Sequence, residues 1–249
     1  MKNRKVYLVT GGAGGIGSAI CLKIAEMDKN SFILIHYNTS YSNAVEIKNK
    51  IIQDGGAAEI IQSDLENKNE LELFAKFILE HYSKVDCLIN CAGYVRDCDV
   101  IDREYEDFEK TFRINLFAPF ILSKIFGLEM VKNQSGQIIN ISSTNGVNTI
   151  YPTSIDYDAS KAALNSLTRN LAIEFAPYVN VNAVMPGWVG TPMNNELPED
   201  FLEEEKKTTL LERFADPEEI ADMVFFLSSD KARYITAAII PVDGGLKVK

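Results

Sequence analysis

Short apolar runs alternate with helical patterns along most of the chain. The first run spans residues 6–10, and apolar side chains then recur at helical spacing through Ile20, Ile24 and Met27. A run that is apolar throughout is typical of a strand buried on both faces, whereas recurrence every three or four residues is typical of an amphipathic helix. The predicted strands are 6–10, 32–37, 59–62, 85–90, 137–142, 179–185 and 235–242. The predicted helices lie at about 20–27, 44–51, 71–82, 104–132 and 157–175.

This alternation predicts an α/β fold. Buried strands separated by amphipathic helices form a parallel sheet with helices on both faces, joined by right-handed crossovers. We therefore expect one domain over residues 1–249, built as a Rossmann-type doubly wound parallel sheet of about seven strands. No linker, repeat or low-complexity tract divides the chain, and only the segment 188–211 departs from the alternation.

The composition is that of an ordinary soluble globular protein, with 46% hydrophobic and 24% charged residues among 249. A net charge of −10 offers no basic face to nucleic acid and disfavours anionic membranes. No run reaches 18 apolar residues, and the chain begins with a charged segment and a short strand. We therefore expect neither a membrane span nor a signal peptide, and a cytoplasmic location.

The cysteines and histidines predict no metal site. No CxxC pair occurs and no histidine cluster follows the cysteines, although zinc sites usually show such spacing. Cys87 and Cys91 share a face of a predicted buried strand, where free thiols behave as small apolar side chains. The residues concerned are Cys21, Cys87, Cys91, Cys98, His36 and His81.

A glycine-rich loop follows the first predicted strand. Gly11, Gly15 and Gly17 allow a tight turn, a close approach of the backbone to a pyrophosphate, and close helix packing. Such a turn can also be a simple flexible loop, but a strand before it and a helix after it favour dinucleotide binding. Asp64 follows the third strand, where it suits an adenine amino group or the cap of the next helix. Other polar or small residues after strands are Asn90 to Gly93, Ser142, Ser143, Pro186, Gly187 and Thr191.

Tyr157 and Lys161 lie four residues apart in a predicted helix that Ser154 or Asp156 could cap. An ammonium beside a phenol favours the phenolate, so this pairing predicts a Tyr157 pKa drawn down toward working pH. Alone, the same pattern also describes a packed aromatic ring beside a solvated lysine.

Taken in order, these motifs resemble the signature of the short-chain dehydrogenase/reductase family over essentially the whole chain. Cys91 departs from the family pattern, which more often has asparagine there. The motifs are Thr10-Gly11-x-x-x-Gly15-x-Gly17, Asp64, Asn90-Cys91-Ala92-Gly93, Asn115, Ser143, Tyr157-x-x-x-Lys161, Pro186-Gly187 and Asp243-Gly244-Gly245.

The resemblance implies a catalytic tetrad of Asn115, Ser143, Tyr157 and Lys161. Ser143 would bind the substrate carbonyl and Tyr157 would protonate it during hydride transfer. Lys161 would lower the Tyr157 pKa and hold the nicotinamide ribose, and Asn115 would bind a water linked to Lys161. Asn115 can also be a buried polar group bonded to nearby backbone. Ser143 is chosen over Ser142 as the catalytic serine, because its spacing to Gly146 matches the usual spacing from serine to glycine in the family motif. The step from Ser143 to Tyr157 is one residue longer than is common.

The resemblance also implies a nicotinamide dinucleotide, with NADP(H) favoured over NAD(H). No carboxylate ends the second strand: Tyr37 occupies the expected acidic position, although the position that is often basic in NADP enzymes is Gly14. Asn90 is expected to orient Asn115 or the sheet edge. The implied cofactor contacts are Gly11, Gly14, Gly15, Ile16, Gly17, Tyr37, Asn38, Thr39, Ser40, Asp64, Leu65, Asn90, Ala92, Gly93, Tyr157, Lys161, Pro186, Gly187, Val189 and Thr191.

For the substrate, residues 93–97 and 37–40 are similar to 3-oxoacyl-acyl carrier protein reductases, which implies reduction of a 3-oxoacyl thioester. However, residues 133–135 are neutral and Tyr178 stands where an arginine is expected. The segment 188–211 is acidic and should form a mobile lid, which disfavours an acidic carrier, although a solvated helix face explains the same charges. A sugar, polyol or other small secondary-alcohol dehydrogenase is therefore the alternative. A non-enzymatic nucleotide-binding regulator is least favoured, because Tyr157 and Lys161 are both present.

Residues around the predicted site remain open to two interpretations. The inward positions of the lid would be Met193, Leu197, Phe201 and Leu202. Candidate pocket walls, or plain packing residues, are Tyr94, Asn145, Tyr151 and Trp188.

Relatives usually form homotetramers through the helices that hold Asn115 and Tyr157 here. The small and apolar face suited to that contact, or to packing on its own sheet, comprises Ala159, Ala162, Ala163, Leu167, Leu171 and Phe175.

Overall fold

A computed structural model describes residues 4–147, 151–192 and 197–246. Within them a parallel sheet has the strand order β3-β2-β1-β4-β5-β6-β7, which confirms the predicted α/β doubly wound class. The strands are β1 Lys5–Thr10, β2 Ser31–Tyr37, β3 Ala58–Gln62, β4 Cys87–Asn90, β5 Gly136–Ile141, β6 Val179–Pro186 and β7 Ile239–Val242. The helices are α1 Gly15–Met27, α2 Tyr41–Gln53, α3 Lys68–Tyr82, α4 Tyr105–Phe112, α5 Ala118–Lys132, α6 Ile155–Glu174, α7 Glu199–Lys206 and α8 Pro217–Ser228.

Two cores lie on the two faces of the sheet. Alternate residues of each strand point to opposite faces, so Val9 and Ile33 join one core while Leu8 and Leu34 join the other. Helices α1, α2 and α8 cover the first core, and α3, α5 and α6 cover the second. This burial on both faces is why the strands read as continuous apolar runs.

The last strand begins later than the apolar run 235–242 predicted. The Asn182 side chain donates to the Ile235 carbonyl at 2.9 Å, and the Thr236 hydroxyl accepts from the Val181 amide. Ala237 then adopts a left-handed conformation with φ of 58°. Side chains and a kink therefore occupy the positions where a regular ladder would begin, and β7 starts at Ile239. Similarly, β4 begins at Cys87, two residues later than predicted.

Helix α8 was not among the predicted elements. It carries clear local signals, with Pro217 in its first turn and a capping box in which Asp216 and Glu219 bond each other's backbone amides. Ile220 and Val224 lie on its buried face, and the helix packs on α1. The irregular segment 188–211, which precedes this helix, interrupts the alternation of strands and helices and obscures its periodicity.

The long helical region contains a π-helical turn, Arg113–Phe117, between α4 and α5. By length and mean hydropathy, 1.5 over its most apolar window, the run Tyr105–Lys132 would pass as a membrane span, which the count of uninterrupted apolar residues had not indicated. Leu122 and Phe126 of this run are buried in the second core. This is the packing of a core helix in a globular protein, where composition alone is weak support for a membrane span.

Part of the face proposed for subunit contact turns inward. Leu171 and Phe175 are buried against the chain's own sheet, because they lie on the side of α6 that covers the second core. Ala159 and Ala162 are exposed on the other side of the helix. Only the outward residues of α6 are therefore available to another subunit.

Candidate active site

A cleft of about 590 Å³ opens beyond the carboxyl ends of the strands. This is within the usual size range of small-molecule sites, and it lies where doubly wound sheets bind their ligands. Its wall runs from the loop after β1, past the ends of β2 and β3, to the cluster at the start of α6. The predicted site residues that line it are Gly11, Gly14, Gly15, Ile16, Gly17, Tyr37, Asn38, Thr39, Ser40, Asp64, Leu65, Ala92, Gly93, Tyr157, Lys161 and Thr191.

The glycine-rich loop is built to bring backbone close to a ligand. Gly11 has φ of +63°, and a Cβ at Gly17 would lie 2.1 Å from the Gly11 carbonyl oxygen. Gly14 is the N-cap of α1 and supplies no side-chain cap, so amide groups of the first turn face the cleft. Positive helix-end potential together with a side-chain-free cradle suits a pyrophosphate. The residues present therefore fit a dinucleotide.

His36, near the end of β2, holds this loop in place. Its Nδ1 accepts from the Gly11 amide and its Nε2 donates to the Ser63 carbonyl, each at 3.0 Å. The ring is buried, and burial lowers the pKa of His36 to about 4. The imidazole is therefore neutral and joins the ends of three strands. The sequence marked His36 only as a lone histidine, although a polar ring inside an apolar strand was a usable signal.

The end of β2 presents uncharged polar groups to the cleft. Asn38 and Ser40 line it together with Asn43, which was not predicted. Asp64 accepts from the Glu66 amide at 3.0 Å, while the cap of α3 is Asn67. The alternative role of Asp64 as the helix cap is therefore wrong, because Asn67 occupies that position. Asp64 itself lines the cleft.

Tyr157 and Lys161 line the cleft, and Ser143 lies beside the Tyr157 phenol. The Ser143 hydroxyl is close enough to the Tyr157 phenol to lower the pKa of that phenol. The Lys161 ammonium lies 5.4 Å from the centre of the Tyr157 ring and donates to the Ile141 carbonyl at 2.8 Å. Ser142 also lines the cleft, but its hydroxyl donates to the Lys161 carbonyl. The geometry thus brings Ser143, and not Ser142, to the phenol.

The expected lowering of the Tyr157 pKa is wrong for this structure. Burial raises the pKa of Tyr157 to about 12, and the hydrogen bond from Ser143 lowers it only in part. Burial likewise lowers the pKa of Lys161 to about 8. Because the ammonium is aimed at a main-chain carbonyl, desolvation outweighs its attraction for a phenolate. Tyr157 therefore keeps its proton at neutral pH and can act as a proton donor.

Asn115 sits fully buried in the π-helical turn and fixes the loop after β4. Its amide nitrogen donates to the Tyr94 carbonyl at 2.9 Å and to the Ser160 hydroxyl, and its Oδ1 accepts from the Tyr94 amide at 2.8 Å. A Cβ on Gly93 would lie 3.8 Å from Lys161 Nζ, so this loop passes directly beside the ammonium. The Asn115 side chain thus positions the loop beside Lys161. This agrees with the alternative that Asn115 is a buried polar group bonded to nearby backbone.

Asn90 lies beneath the cleft and does not line it. Its amide donates to Asn140 at 2.8 Å and to Ser123 at 3.2 Å. Its contact with a cofactor stays a prediction, and of the two suggested partners the side chain orients the sheet and not Asn115. The loop above is held instead by Thr10, whose hydroxyl accepts from the amides of Cys91 and Ala92.

Pro186, Gly187 and Val189 are also set back from the described cleft. Val189 packs in the first core, and the Gly187 amide donates to the Val242 carbonyl. Gly187 has no side chain and the Val189 side chain is buried in the core, so only the main chain of these two residues could meet a cofactor. Thr191 does reach the cleft, where its methyl group would meet a Cβ on Gly15 at 2.7 Å. Lys110, which was not predicted, lines the opposite wall above the Tyr94 ring.

The segment 188–211 contains helix α7 beside an aromatic cluster. Trp188 stacks on Phe214 and meets Phe201 edge to face. Leu197, Phe201 and Leu202 are half-buried, while the predicted inward residue Met193 lies outside the described residues. Glu203 and Glu204 are exposed, as the solvated-face alternative expected, but Glu205 is buried.

No set of metal ligands is found in the part of the chain that the structure describes. No group of three or more histidine, cysteine or carboxylate side chains is close enough to hold an ion there. All four cysteines are free.

The chain is similar over almost its whole length to known oxidoreductases. Residues 11–247 match a family profile described as enoyl-(acyl carrier protein) reductase. A 3-oxoacyl-[acyl-carrier-protein] reductase from Synechocystis sp. is 35% identical over 244 residues, covering 97% of this chain and 96% of that protein. The structure of acetoin dehydrogenase YohF from Salmonella typhimurium matches with a TM-score of 0.87 at 31% identity, covering 98% of this chain and 96% of that one.

A further solved structure carries a cofactor. A putative NAD(P)-dependent gluconate 5-dehydrogenase from Beutenbergia cavernae, with NADP bound at low occupancy, matches with a TM-score of 0.91 at 30% identity. The match covers 96% of this chain and 95% of that one. The similarity therefore spans both the glycine-rich loop and the Ser143, Tyr157 and Lys161 cluster.

Proposed function

Because this chain belongs to the short-chain dehydrogenase/reductase family and is a nicotinamide-dependent oxidoreductase, we propose that it prefers NADP(H) and reduces a 3-oxoacyl thioester. The observation that carries the proposal is that Tyr157 and Lys161 line a cleft that fits a dinucleotide, with Ser143 beside the phenol. A bound nicotinamide would supply or take up the hydride. The protein's own part is to hold the carbonyl and to move one proton.

Three catalytic residues and one positioning residue, Asn115, divide this work. Ser143 donates a hydrogen bond to the substrate carbonyl oxygen, and Tyr157 gives that oxygen a proton. Lys161 holds the nicotinamide ribose hydroxyls, and Asn115 fixes the loop of Gly93 and Tyr94 beside the ammonium. A Tyr157 that stays protonated at neutral pH supports the reductive direction, because a carbonyl oxygen must receive a proton there.

The preference for NADP(H) is supported by the uncharged end of β2. Asn38, Ser40 and Asn43 line the cleft, and each can donate a hydrogen bond to a 2′-phosphate. A carboxylate at the Tyr37 position would instead select the ribose hydroxyls of NAD. The NADP-bound gluconate 5-dehydrogenase relative points to the same cofactor.

Support for the substrate is divided between two classes. Similarity to a 3-oxoacyl-[acyl-carrier-protein] reductase favours a 3-keto thioester. The exposed carboxylates of α7 and the aromatic cluster at Trp188 favour a small neutral ketone or alcohol, because an acidic carrier would be repelled. The acetoin and gluconate dehydrogenase relatives support this second candidate.

One paired assay separates the candidates. NADPH oxidation with an acetoacetyl thioester is compared with NADPH oxidation with acetoin, and with NADP⁺ reduction by polyols. We expect the thioester to show the highest kcat/KM. A higher kcat/KM for the small ketone or a polyol would assign the enzyme to the second class.

Three further features belong to the proposal. The chain folds as one domain in which residues 188–211 form a lid over the substrate side. It forms a homotetramer, supported by apolar side chains exposed on the outer helices, and its free cysteines suit the reducing cytoplasm. Light scattering on the purified protein tests the tetramer. The exposed apolar residues are Phe117, Phe120, Leu128 and Ile173.

A further inference from the structure

Helix α7 places a buried carboxylate next to the active site. Glu205 is 7% exposed, although its neighbours Glu203 and Glu204 face solvent. Its Oε2 accepts from the Tyr151 hydroxyl at 2.6 Å and from Trp188 Nε1 at 3.0 Å. A buried carboxylate is costly unless such bonds compensate it, so these contacts fix where the helix can sit.

Tyr151 connects this carboxylate to the beginning of α6. The Tyr151 amide donates to Asp158 Oδ2 at 3.1 Å. The other oxygen of Asp158 accepts from the Asn145 amide group at 2.7 Å and from Ser154 at 3.3 Å. Asp158 thus holds both the segment that carries Tyr151 and the loop after β5, on which Ser143 lies.

Asn145 carries the connection to the reacting groups. The Ser143 hydroxyl donates to Asn145 Oδ1 at 3.2 Å and accepts from the Asn145 main-chain amide at 3.3 Å. It is also close enough to the Tyr157 phenol to lower the pKa of that phenol. Because Asp158 holds the nitrogen end of the Asn145 amide, its oxygen end is turned toward Ser143. The contacts of Asn145 therefore fix where the Ser143 oxygen lies, and the hydroxyl can turn from Asn145 to a bound carbonyl.

We propose that Glu205 is a positioning residue for the reaction. By holding Tyr151 and Trp188, it couples the seating of α7 to the Asp158 and Asn145 contacts that orient Ser143. When Glu205 is in place, Ser143 is held where it meets the substrate carbonyl. This inference rests on the proposed function, since it assumes the role given there to Ser143.

The contact can be removed from either side. Glu205→Ala deletes the acceptor, and Tyr151→Phe deletes the donor while keeping the ring. Glu205→Gln keeps an oxygen that can accept from both partners, so it should rescue. Glu204→Ala is the matched control, because Glu204 is the adjacent residue on the exposed side of the same helix.

Trp188 gives a readout that needs no substrate, because it is the only tryptophan in the chain. Glu205→Ala should shift its emission to the red and make it more accessible to a soluble quencher. Glu205→Gln and Glu204→Ala should match the wild type. Unchanged emission in Glu205→Ala would overturn the proposal, because it would show that the carboxylate does not hold α7.

The kinetic experiment uses whichever carbonyl substrate the wild type reduces. The test of Glu205 therefore remains valid even if the substrate is not a thioester. Glu205→Ala and Tyr151→Phe should each lower kcat about tenfold while the Kd of NADPH stays within about twofold. The variant that combines Glu205→Ala with Tyr151→Phe should lower kcat no further than either substitution alone, because both remove the same contact. Glu205→Gln should retain most of the kcat. A variant with shifted emission and lowered Tm but wild-type kcat would show a purely structural role and overturn the proposal.

Discussion

Lys161 lies one helical turn after Tyr157 with its ammonium 5.4 Å from the centre of the tyrosine ring, yet Lys161 is buried, Tyr157 is half-buried, and neither holds the other in its charged form. Burial raises the pKa of Tyr157 to about 12 and lowers the pKa of Lys161 to about 8. At neutral pH the pair is therefore a neutral phenol beside an ammonium group that readily loses its proton.

The pH profile of reduction should follow Lys161 and not Tyr157. Lys161 is charged below its pKa, so kcat/KM for the carbonyl should fall as pH rises through about 8, while Tyr157 stays protonated to about 12. The rate is measured across pH 6 to 10 at about constant ionic strength, with NADPH saturating while the carbonyl substrate is varied. A second series varies NADPH at a saturating concentration of the carbonyl substrate. A profile that stayed flat to the alkaline limit would contradict the lowered Lys161 pKa.

His36 should make the folded protein less stable as pH falls from about 6.5 to about 4. The unfolded chain takes up a proton on histidine near pH 6.5, whereas the folded chain does so only near 4, so acid favours unfolding in this window. The full effect is roughly 3 kcal/mol. Urea unfolding at several pH values measures it.

The controls for this effect are two substitutions. His36→Asn removes the titrating ring but keeps an acceptor for the Gly11 amide, and it should flatten this part of the stability curve. His81→Gln, at an exposed position on α3, should leave the curve as in the wild type. Equal pH dependence in all three proteins would show that His36 does not titrate as the structure requires.

Much of the fold followed from sequence because parallel strands and amphipathic helices leave periodic patterns. The glycine-rich loop and the Tyr157 and Lys161 pair were equally visible, since their chemistry is local. The pKa shifts were not, because desolvation depends on what the whole fold packs around a group. For the same reason the buried role of Glu205 had no local signature that separated it from the exposed glutamates beside it, whereas His36 lay inside an apolar strand and was open to recognition.

The buried ion pair of Arg103 and Asp156 should be sensitive to loss of one partner. The two side chains are 2% and 0% exposed with an N–O distance of 3.1 Å, and Thr111 also donates to Asp156 at 2.6 Å. Arg103→Met would leave a buried carboxylate without its cation, at a cost of about 3 to 5 kcal/mol in unfolding free energy.

An exposed ion pair provides the comparison. Arg213→Met breaks the surface contact with Glu219 and should cost less than about 1 kcal/mol. Both variants are measured by denaturant unfolding. Similar costs for Arg103→Met and Arg213→Met would mean that Asp156 is not held as a buried ion.

Gly17→Ala should abolish dinucleotide binding. An added Cβ would lie 2.1 Å from the Gly11 carbonyl oxygen, so the loop must move away from the position in which its amides face the cleft. Gly190→Ala is the control, since its nearest neighbour would lie at an ordinary 3.8 Å. NADPH titration followed by nucleotide fluorescence measures the Kd. Wild-type affinity in Gly17→Ala would exclude this loop as the pyrophosphate site.

The most direct test of the central claim is the turnover of Tyr157→Phe with its NADPH affinity measured beside it. If Tyr157 is the proton donor, removing one oxygen should lower kcat by about a thousandfold or more while the Kd of NADPH changes by less than about threefold. The control Tyr178→Phe alters a tyrosine that is 40% exposed and should keep wild-type kcat. A Tyr157→Phe protein that retained most of its rate would contradict proton transfer from this phenol.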